Sequence, residues 1–239
     1  MTASIVVAGA SGGLGASTLG LAVGRRWAAS GPPTVVVDLD VGGGGLDVTA
    51  GIEHLPGRRW PALADVRGHV DAAQLIGALP EEDRCRLLSA GGPSRGAAPA
   101  RAVDDVVASL LDAGAVVLDV GRCATPPCVP ATDPVVVLLT WLTTRGLADV
   151  DARLELLRSE WGASTDPDVR VITRGGRPSP EVVDDIEAHL GVPHLHHLPD
   201  DPRVPKDAER GVWPGSSRDA VRDAADVVVG AAEALRVAS

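Results

Sequence analysis

The sequence predicts an α/β domain: a mainly parallel, doubly wound sheet of about seven strands with helices on both faces. Two observations carry this expectation. Short, wholly apolar, valine-rich runs alternate with longer segments whose apolar residues recur every three or four positions, the pattern of buried parallel strands between amphipathic helices. The first apolar run also ends in a glycine cluster that leads straight into a helical pattern, the strand–loop–helix unit from which such sheets are built.

Taken in order, Ile5-Val6-Val7-Ala8 is the first strand, and Leu19, Val23 and Trp27 mark the apolar face of the helix beyond the glycines. Thr34 to Val37 is β-branched and apolar, a second buried strand with Asp38 and Asp40 at its carboxyl end. Further strands are expected at Cys85 to Leu88, Ala115 to Val120, Pro134 to Leu139 and Val169 to Thr173, with a weak one around Leu195. Helical patterns fit Asp71 to Leu79, Ala100 to Asp112, Leu142 to Ser159, where Leu147, Val150, Leu154 and Leu157 align, and Pro180 to Leu190. The last helix, Ser217 to Arg236, carries Val221, Ala225, Val228, Ala232 and Leu235 on one face. No internal repeat and no proline- or serine-rich linker interrupts the pattern, so residues 1–239 are read as one domain with a surface loop at Gly91 to Pro99. Sheets of this kind bind ligands beyond the carboxyl ends of their strands, which makes the strand ends the places to look for chemistry.

Composition narrows the function classes. A net charge of −10 and a pI near 5.0 repel polyanions, so no nucleic-acid partner is expected. Cys85, Cys123 and Cys128 have no ligand-like spacing, and the amino terminus lacks a charged segment followed by an apolar cleavable one, which points to the cytoplasm. No apolar run approaches the roughly 18 residues of a membrane span. Tyrosine is absent and Lys206 is the only lysine.

Ala8 to Thr18 reads Ala-Gly-Ala-Ser-Gly-Gly-Leu-Gly-Ala-Ser-Thr. Glycines at such a place let backbone N–H groups converge on an anion while the helix amino terminus adds favourable potential, so a phosphate site is expected here. Two families use this device. The loop from Ala8-Gly9 through Gly13 and Gly15 resembles that of short-chain dehydrogenases, with Asp38 able to hold a ribose. Those enzymes need a catalytic tyrosine, which this chain lacks; only a noncatalytic dinucleotide-binding Rossmann protein remains on that side.

The second resemblance is to the MinD/ParA superfamily of deviant P-loop ATPases, whose loop runs Lys-Gly-Gly-x-Gly-Lys-Thr-Thr. Ser11-Gly12-Gly13-Leu14-Gly15-Ala16-Ser17-Thr18 matches it position by position except at the two lysines. Asp38-Leu39-Asp40, followed by Leu46-Asp47 and Gly51-Ile52-Glu53, is similar to the switch region of its CpaE/TadZ-like branch. Val116 to Arg122 resembles that branch's second acidic strand, and Pro199-Asp200-Asp201-Pro202-Arg203-Val204, with Ala208 and Gly211, its late loop near the base. Four blocks in the family's order give the match its specificity. Many members carry a receiver-like domain ahead of the ATPase part; with the first strand beginning at Ser4, none is expected here.

The resemblance implies residue roles. The cofactors would be ATP or ADP with Mg²⁺, held by Ser11, Gly12, Gly13, Leu14, Gly15, Ala16, Ser17 and Thr18, with Arg174, Pro199 and Asp200 near the base. Ser17, Asp38 and Asp119 would organise Mg²⁺ directly or through water, and Asp40 would orient the attacking water. Asp38, Asp40 and Asp119 could otherwise simply cap the helices that follow. The family's base-proximal asparagine is replaced by Thr173.

Ala16 and Ser11 stand where the lysines would be, and arginine-rich compositional drift would have kept the charge. A unit charge about 4 Å from a phosphate oxygen contributes roughly 4 kcal/mol at an effective dielectric near 20, so its loss weakens ATP binding by about two to three orders of magnitude. Weak or absent hydrolysis is therefore expected, unless Arg25, Arg122, Arg174 or Lys206 compensates. The reading is a homodimeric positioning or regulatory protein for septum, pilus or secretion machinery, recruited to pole or septum by protein partners.

Lesser signals receive plainer readings. His194 and His196 would share one face of a strand, as a solvated strand end rather than a metal site. Trp27, Trp141 and Trp161 are read as packing residues and Trp213 as an exposed contact. The carboxyl-terminal helix has too few cations and too little bulky apolar surface for a membrane anchor.

Overall fold

The computed structural model describes residues 3–91, 97–121, 134–161 and 167–238. The elements in chain order are β1 (Ala3–Gly9), α1 (Ala16–Ser30), β2 (Thr34–Asp38), α2 (Leu46–Ala50), a 3-10 turn (Trp60–Leu63), α3 (Ala72–Gly77), β3 (Glu81–Glu82), β4 (Cys85–Leu88), α4 (Ala100–Leu111), β5 (Ala115–Asp119), β6 (Val135–Trp141), α5 (Thr144–Trp161), β7 (Asp168–Arg174), α6 (Pro180–Leu190), β8 (His194–Leu198), α7 (Arg203–Ala208) and α8 (Ala220–Ala238).

Eight strands form one sheet in the order β3-β4-β2-β5-β1-β6-β7-β8. All seven expected strands are present and pair in parallel. The eighth, β3, is a two-residue antiparallel addition to the start of β4. Its turn places Asp83 and Arg84 at φ of 47° and 65°. Two charged glutamates give no apolar signal, which is why the sequence does not announce it. The short α2 and α7 and the 3-10 turn also escape a periodicity reading, because a helix of five or six residues spans less than two turns.

Strand residues divide between two cores as the pleat requires. Ile5, Val7 and Val36 face α1 and α8, together with Leu19, Trp27, Val221 and Val228. Val6, Val35 and Val37 face the other way, with Val106 of α4, Leu154 of α5 and Ile186 of α6. Trp27 and Trp161 are buried and Trp141 is half-buried, as expected. Trp213 is not an exposed contact: it is 2% exposed, and its Nε1 donates to Leu21 O at 3.0 Å, pinning the chain before α8 to α1.

Because α1 starts at the central loop, its approach to the sheet sets the depth of everything at the strand ends. Gly24 permits that approach: a Cβ there would stand 2.1 Å from Val36 Cγ2. Gly230 in α8 is also helical, but a Cβ there meets nothing within 4 Å. Both alanine replacements gain the same helix propensity, so the difference isolates packing. Gly230→Ala is predicted to stabilise by about 0.5–1 kcal/mol, and Gly24→Ala to destabilise by about 1–3 kcal/mol, read from urea midpoints at equal m-values.

Candidate functional site

The expected residues converge at the carboxyl edge of the sheet. β1 ends at Gly9 in the centre, β2 at Asp38, β5 at Asp119, β7 at Arg174, and Pro199 and Asp200 follow β8. A cleft of about 450 Å³ lies there, lined by Ser11, Gly12, Gly13, Leu14, Gly15, Ala16 and Ser17 on one side and by Asp38, Asp40 and Asp119 on the other. That volume is within the ordinary range for small-molecule sites.

The loop has the backbone of an anion cradle. Gly13 and Gly15 take φ of 76° and 80°, the left-handed region that costs glycine little. Gly15 is the N-cap of α1 and supplies no side-chain cap, and no acidic residue occupies the first turn, whereas Asp71 and Ser179 cap α3 and α6. The first-turn N–H groups of a helix have no intrahelical acceptors, so those of α1 are turned toward the cleft with the positive end of the helix dipole. Leu14 is buried and anchors the loop's middle in the core.

The opposite wall is acidic by register. Asp38 and Asp119 are direct partners in the β2–β5 pairing and are 2% and 1% exposed. Asp38 accepts from Asp40 N at 3.0 Å and Leu46 N at 3.1 Å, and Trp60 Nε1 donates to its main-chain oxygen at 2.6 Å. Each carboxylate oxygen of Asp38 accepts one main-chain hydrogen bond. Burial, then the neighbouring Asp119 charge, pushes the Asp38 carboxyl up to about 7 despite those bonds. Burial also raises Asp119, against the lowering effect of its hydrogen bonds with Ser17 and Gly121 N. Ser17, Asp38 and Asp119 thus present the oxygen donors that Mg²⁺ prefers, and a bound cation would offset the burial, and secondarily the neighbouring charge, that raise both carboxyls. The donor set and the amide cradle fit a Mg²⁺–nucleotide.

A second hollow of about 500 Å³ adjoins the first, sharing Gly15 and lined by Thr18, Arg174, Pro199, Asp200, Val204 and Pro205 among others. Arg174 stands between them: its Nη1 donates to Leu14 O at 2.8 Å, its Nη2 pairs with Asp200, and the guanidinium lies 5.3 Å from the Trp141 ring centroid. Thr173 does not face this hollow; it is buried, and its hydroxyl contacts His194 Nε2 at 2.9 Å and His197 Nδ1 at 3.1 Å.

Of the other proposed substitutes for lysine, the two that are described, Arg25 and Lys206, are not at the cleft. Arg25 pairs with Glu82 at 2.9 Å and with Asp83 at the amino-terminal edge of the sheet, away from the site. Lys206 is exposed on α7 and lines neither hollow. Arg122 lies outside the described residues, as do Cys123 and Cys128. Among the described residues no lysine, arginine or histidine lines the acidic cleft.

Several contributors were not singled out from sequence. Gly43, Gly44, Gly45 and Thr49 complete the cleft wall beside Leu46 of the switch block; the glycine run after Asp40 was the available signal. Arg153 of α5 donates to Gly9 O at 3.3 Å, and nothing in its helical pattern marks it. Behind α2, buried Asp47 binds Arg59 Nε at 3.1 Å and Ser89 Oγ at 2.9 Å, fixing the segment that carries Leu46. The histidine reading needs correction: a bulge pairs Val171 with His194 and Ile172 with His196, so His194 and His197, not His194 and His196, meet at Thr173. Among the described residues no group of three or more His, Cys, Asp or Glu side chains is arranged to hold a metal.

A carboxyl raised in the folded state stabilises the fold below its unfolded value and loses that contribution as pH rises through the folded value. For Asp38 the window runs from 3.8 to about 7, and the linked stability is at most about 4 kcal/mol. Without divalent cations, the melting temperature is predicted to fall between pH 5 and pH 8, and Asp38→Asn to flatten that fall. Mg²⁺ is predicted to recover more stability at pH 8 than at pH 5 in the wild type, and little in the variant.

Comparison with known proteins agrees with this geometry at the level of fold. No family model matches the chain. It is 30% identical over 234 residues to the uncharacterized protein Rv3660c of Mycobacterium tuberculosis, with 95% of this chain aligned and 63% of that protein's length spanned. Among solved structures, the septum site-determining protein MinD of Pyrococcus horikoshii, complexed with Mg-ADP, superposes with a TM-score of 0.70 at 17% identity, covering 99% of this chain and 98% of that one. A ParA family ATPase from Chlorobium tepidum superposes at 0.68 with 16% identity, covering 98% and 99%. The chain therefore has the α/β fold of the MinD/ParA P-loop ATPases.

Proposed function

We propose that this chain is a positioning or regulatory protein of the MinD/ParA type, nearest in character to the CpaE/TadZ-like branch, whose nucleotide site is degenerate. It holds ADP or ATP with Mg²⁺ weakly and hydrolyses ATP slowly or not at all. It acts as a homodimer through protein contacts with septum, pilus or secretion machinery, in the cytoplasm, without inserting into a membrane itself. The observation that carries this reading is the combination of a glycine loop, left-handed at Gly13 and Gly15 and set at an uncapped helix start, with a cleft wall that has three aspartates and, among the described residues, no cation. Binding needs the cradle; turnover needs a positive group against the developing charge on the transferred phosphoryl.

In this reading Ser11 to Thr18 hold the phosphates, Ser17, Asp38 and Asp119 hold Mg²⁺, and Asp40 orients water. Arg174, Pro199 and Asp200 border the base. The Mg-ADP complex of the Pyrococcus horikoshii MinD supports nucleotide and metal as the ligand class. No described helix is long and apolar enough to cross a bilayer.

A working ATPase that recruits a basic residue is the second reading, and Arg174 at the loop is the observation in its favour. Its guanidinium lies on the base side of Gly15, where it assists binding more than cleavage. Phosphate release with saturating Mg-ATP separates the two. We predict release indistinguishable from the protein-free blank and unchanged in Asp40→Ala; release at rates typical of ParA proteins, abolished by Asp40→Ala, would establish the second reading instead.

A further inference from the structure

The two hollows that meet at Gly15 differ in how their carboxylates are balanced: on the base side Asp200 is paired with Arg174 and Asp201 with Arg203, whereas among the described residues no cation lines the acidic cleft. On the base side, Arg174 Nη1 holds Leu14 O at 2.8 Å and lies 3.2 Å from the point where a Cβ on Gly15 would stand. With its carbonyl pinned on that side, the planar Leu14–Gly15 peptide directs the Gly15 N–H the opposite way, toward the cleft. On the far side stand Asp38, Asp40 and Asp119. Phosphates entering from the base-side hollow would therefore pass from amide N–H groups, a helix amino terminus and a guanidinium already paired with Asp200 toward a wall where, among the described residues, no cation faces the carboxylates.

The first two phosphates would remain at the less negative end of this gradient, against the loop's N–H groups. A third extends beyond the loop toward Asp40, where Ala16 and Ser11 present only neutral side chains. Backbone dipoles that fall off within a turn do not offset a full charge placed among carboxylates.

We infer that this site selects nucleoside diphosphates over nucleoside triphosphates, the reverse of what an ATP-driven switch requires. The inference rests on the nucleotide reading above and adds the ligand's phosphate count. Arg174 contributes as a positioning residue that keeps the loop's N–H groups aimed at the two inner phosphates. Ser17, Asp38 and Asp119 would hold Mg²⁺, whose charge would narrow the preference without inverting it.

The test is calorimetric titration of the full chain with ADP and with ATP, in EDTA and in Mg²⁺, for the wild type, Ala16→Lys and Asp40→Asn, with circular dichroism to verify that each variant is folded. ADP should bind at least about tenfold more tightly than ATP in EDTA, given the strength of unscreened charge pairs at this range. Ala16→Lys should raise ATP affinity more than ADP affinity and bring the ratio to one or below, and Asp40→Asn should reduce it without adding a cation. ATP binding as tight as or tighter than ADP in the wild type would overturn the inference while leaving the nucleotide reading intact. An ADP/ATP ratio unchanged in both folded variants would overturn its electrostatic basis. Binding of neither nucleotide would overturn both readings together.

Discussion

The parallel pairing of β2 with β5 sets Asp38 beside Asp119 in register at the edge of the sheet, and this forced proximity of two buried carboxylates shapes the whole site. Like charges at such a separation in a low-dielectric setting settle only with a proton or a cation between them. The chain surrounds the pair with compensating donors: Leu46 N and Asp40 N on Asp38, Ser17 and Gly121 N on Asp119. Each of those donors belongs to a segment bordering the cleft. The carboxylate pair thereby ties the loop's helix, the start of α2 and the chain beyond β5 to one point.

The second organising feature is what faces the pair. α1 enters at Gly15 with a left-handed cap and no capping side chain, so its orphan N–H groups and dipole are spent on the cleft rather than on the protein itself. Two arginines grip the loop from behind, Arg153 at Gly9 O and Arg174 at Leu14 O. Both guanidinium groups act on main-chain carbonyls and so hold the loop's shape. Recognition and turnover are separable in such a site: the first depends on shape and amides, the second on charge at the reacting end.

Much of this was legible from residues alone, and the misses have physical reasons. Strands buried on both faces carry continuous apolar runs, so Ile5 to Ala8 or Pro134 to Leu139 cannot be mistaken, and strand-end aspartates at a doubly wound sheet point to a site. The order of strands brings Asp38, Asp119 and the glycine loop together, and that convergence is what the resemblance to the MinD/ParA loop and acidic strands implied. Short elements such as α2, α7 and β3 left no periodic trace. Trp213 was misjudged because its neighbours Pro214 and Gly215 signal a turn, whereas the indole folds back under that turn to reach Leu21 O. The histidines of β8 were assigned a shared face from strict alternation, and a single bulge shifted it. Arg153 stayed hidden because an arginine on an amphipathic helix reads as a solvated residue until the fold shows which backbone it touches.

The central claim is that main-chain amides from Gly12 to Ser17, without a lysine, still form an anion cradle. Amide proton and nitrogen shifts of that segment during titration with Mg-ADP test it most directly, since hydrogen bonds to phosphate move amide protons downfield. The account predicts large downfield changes at Gly13, Gly15 and Ala16, with smaller ones at Thr18 and Val204 in the adjoining hollow. Unmoved loop amides at millimolar nucleotide, or changes confined to another face of the sheet, would contradict it.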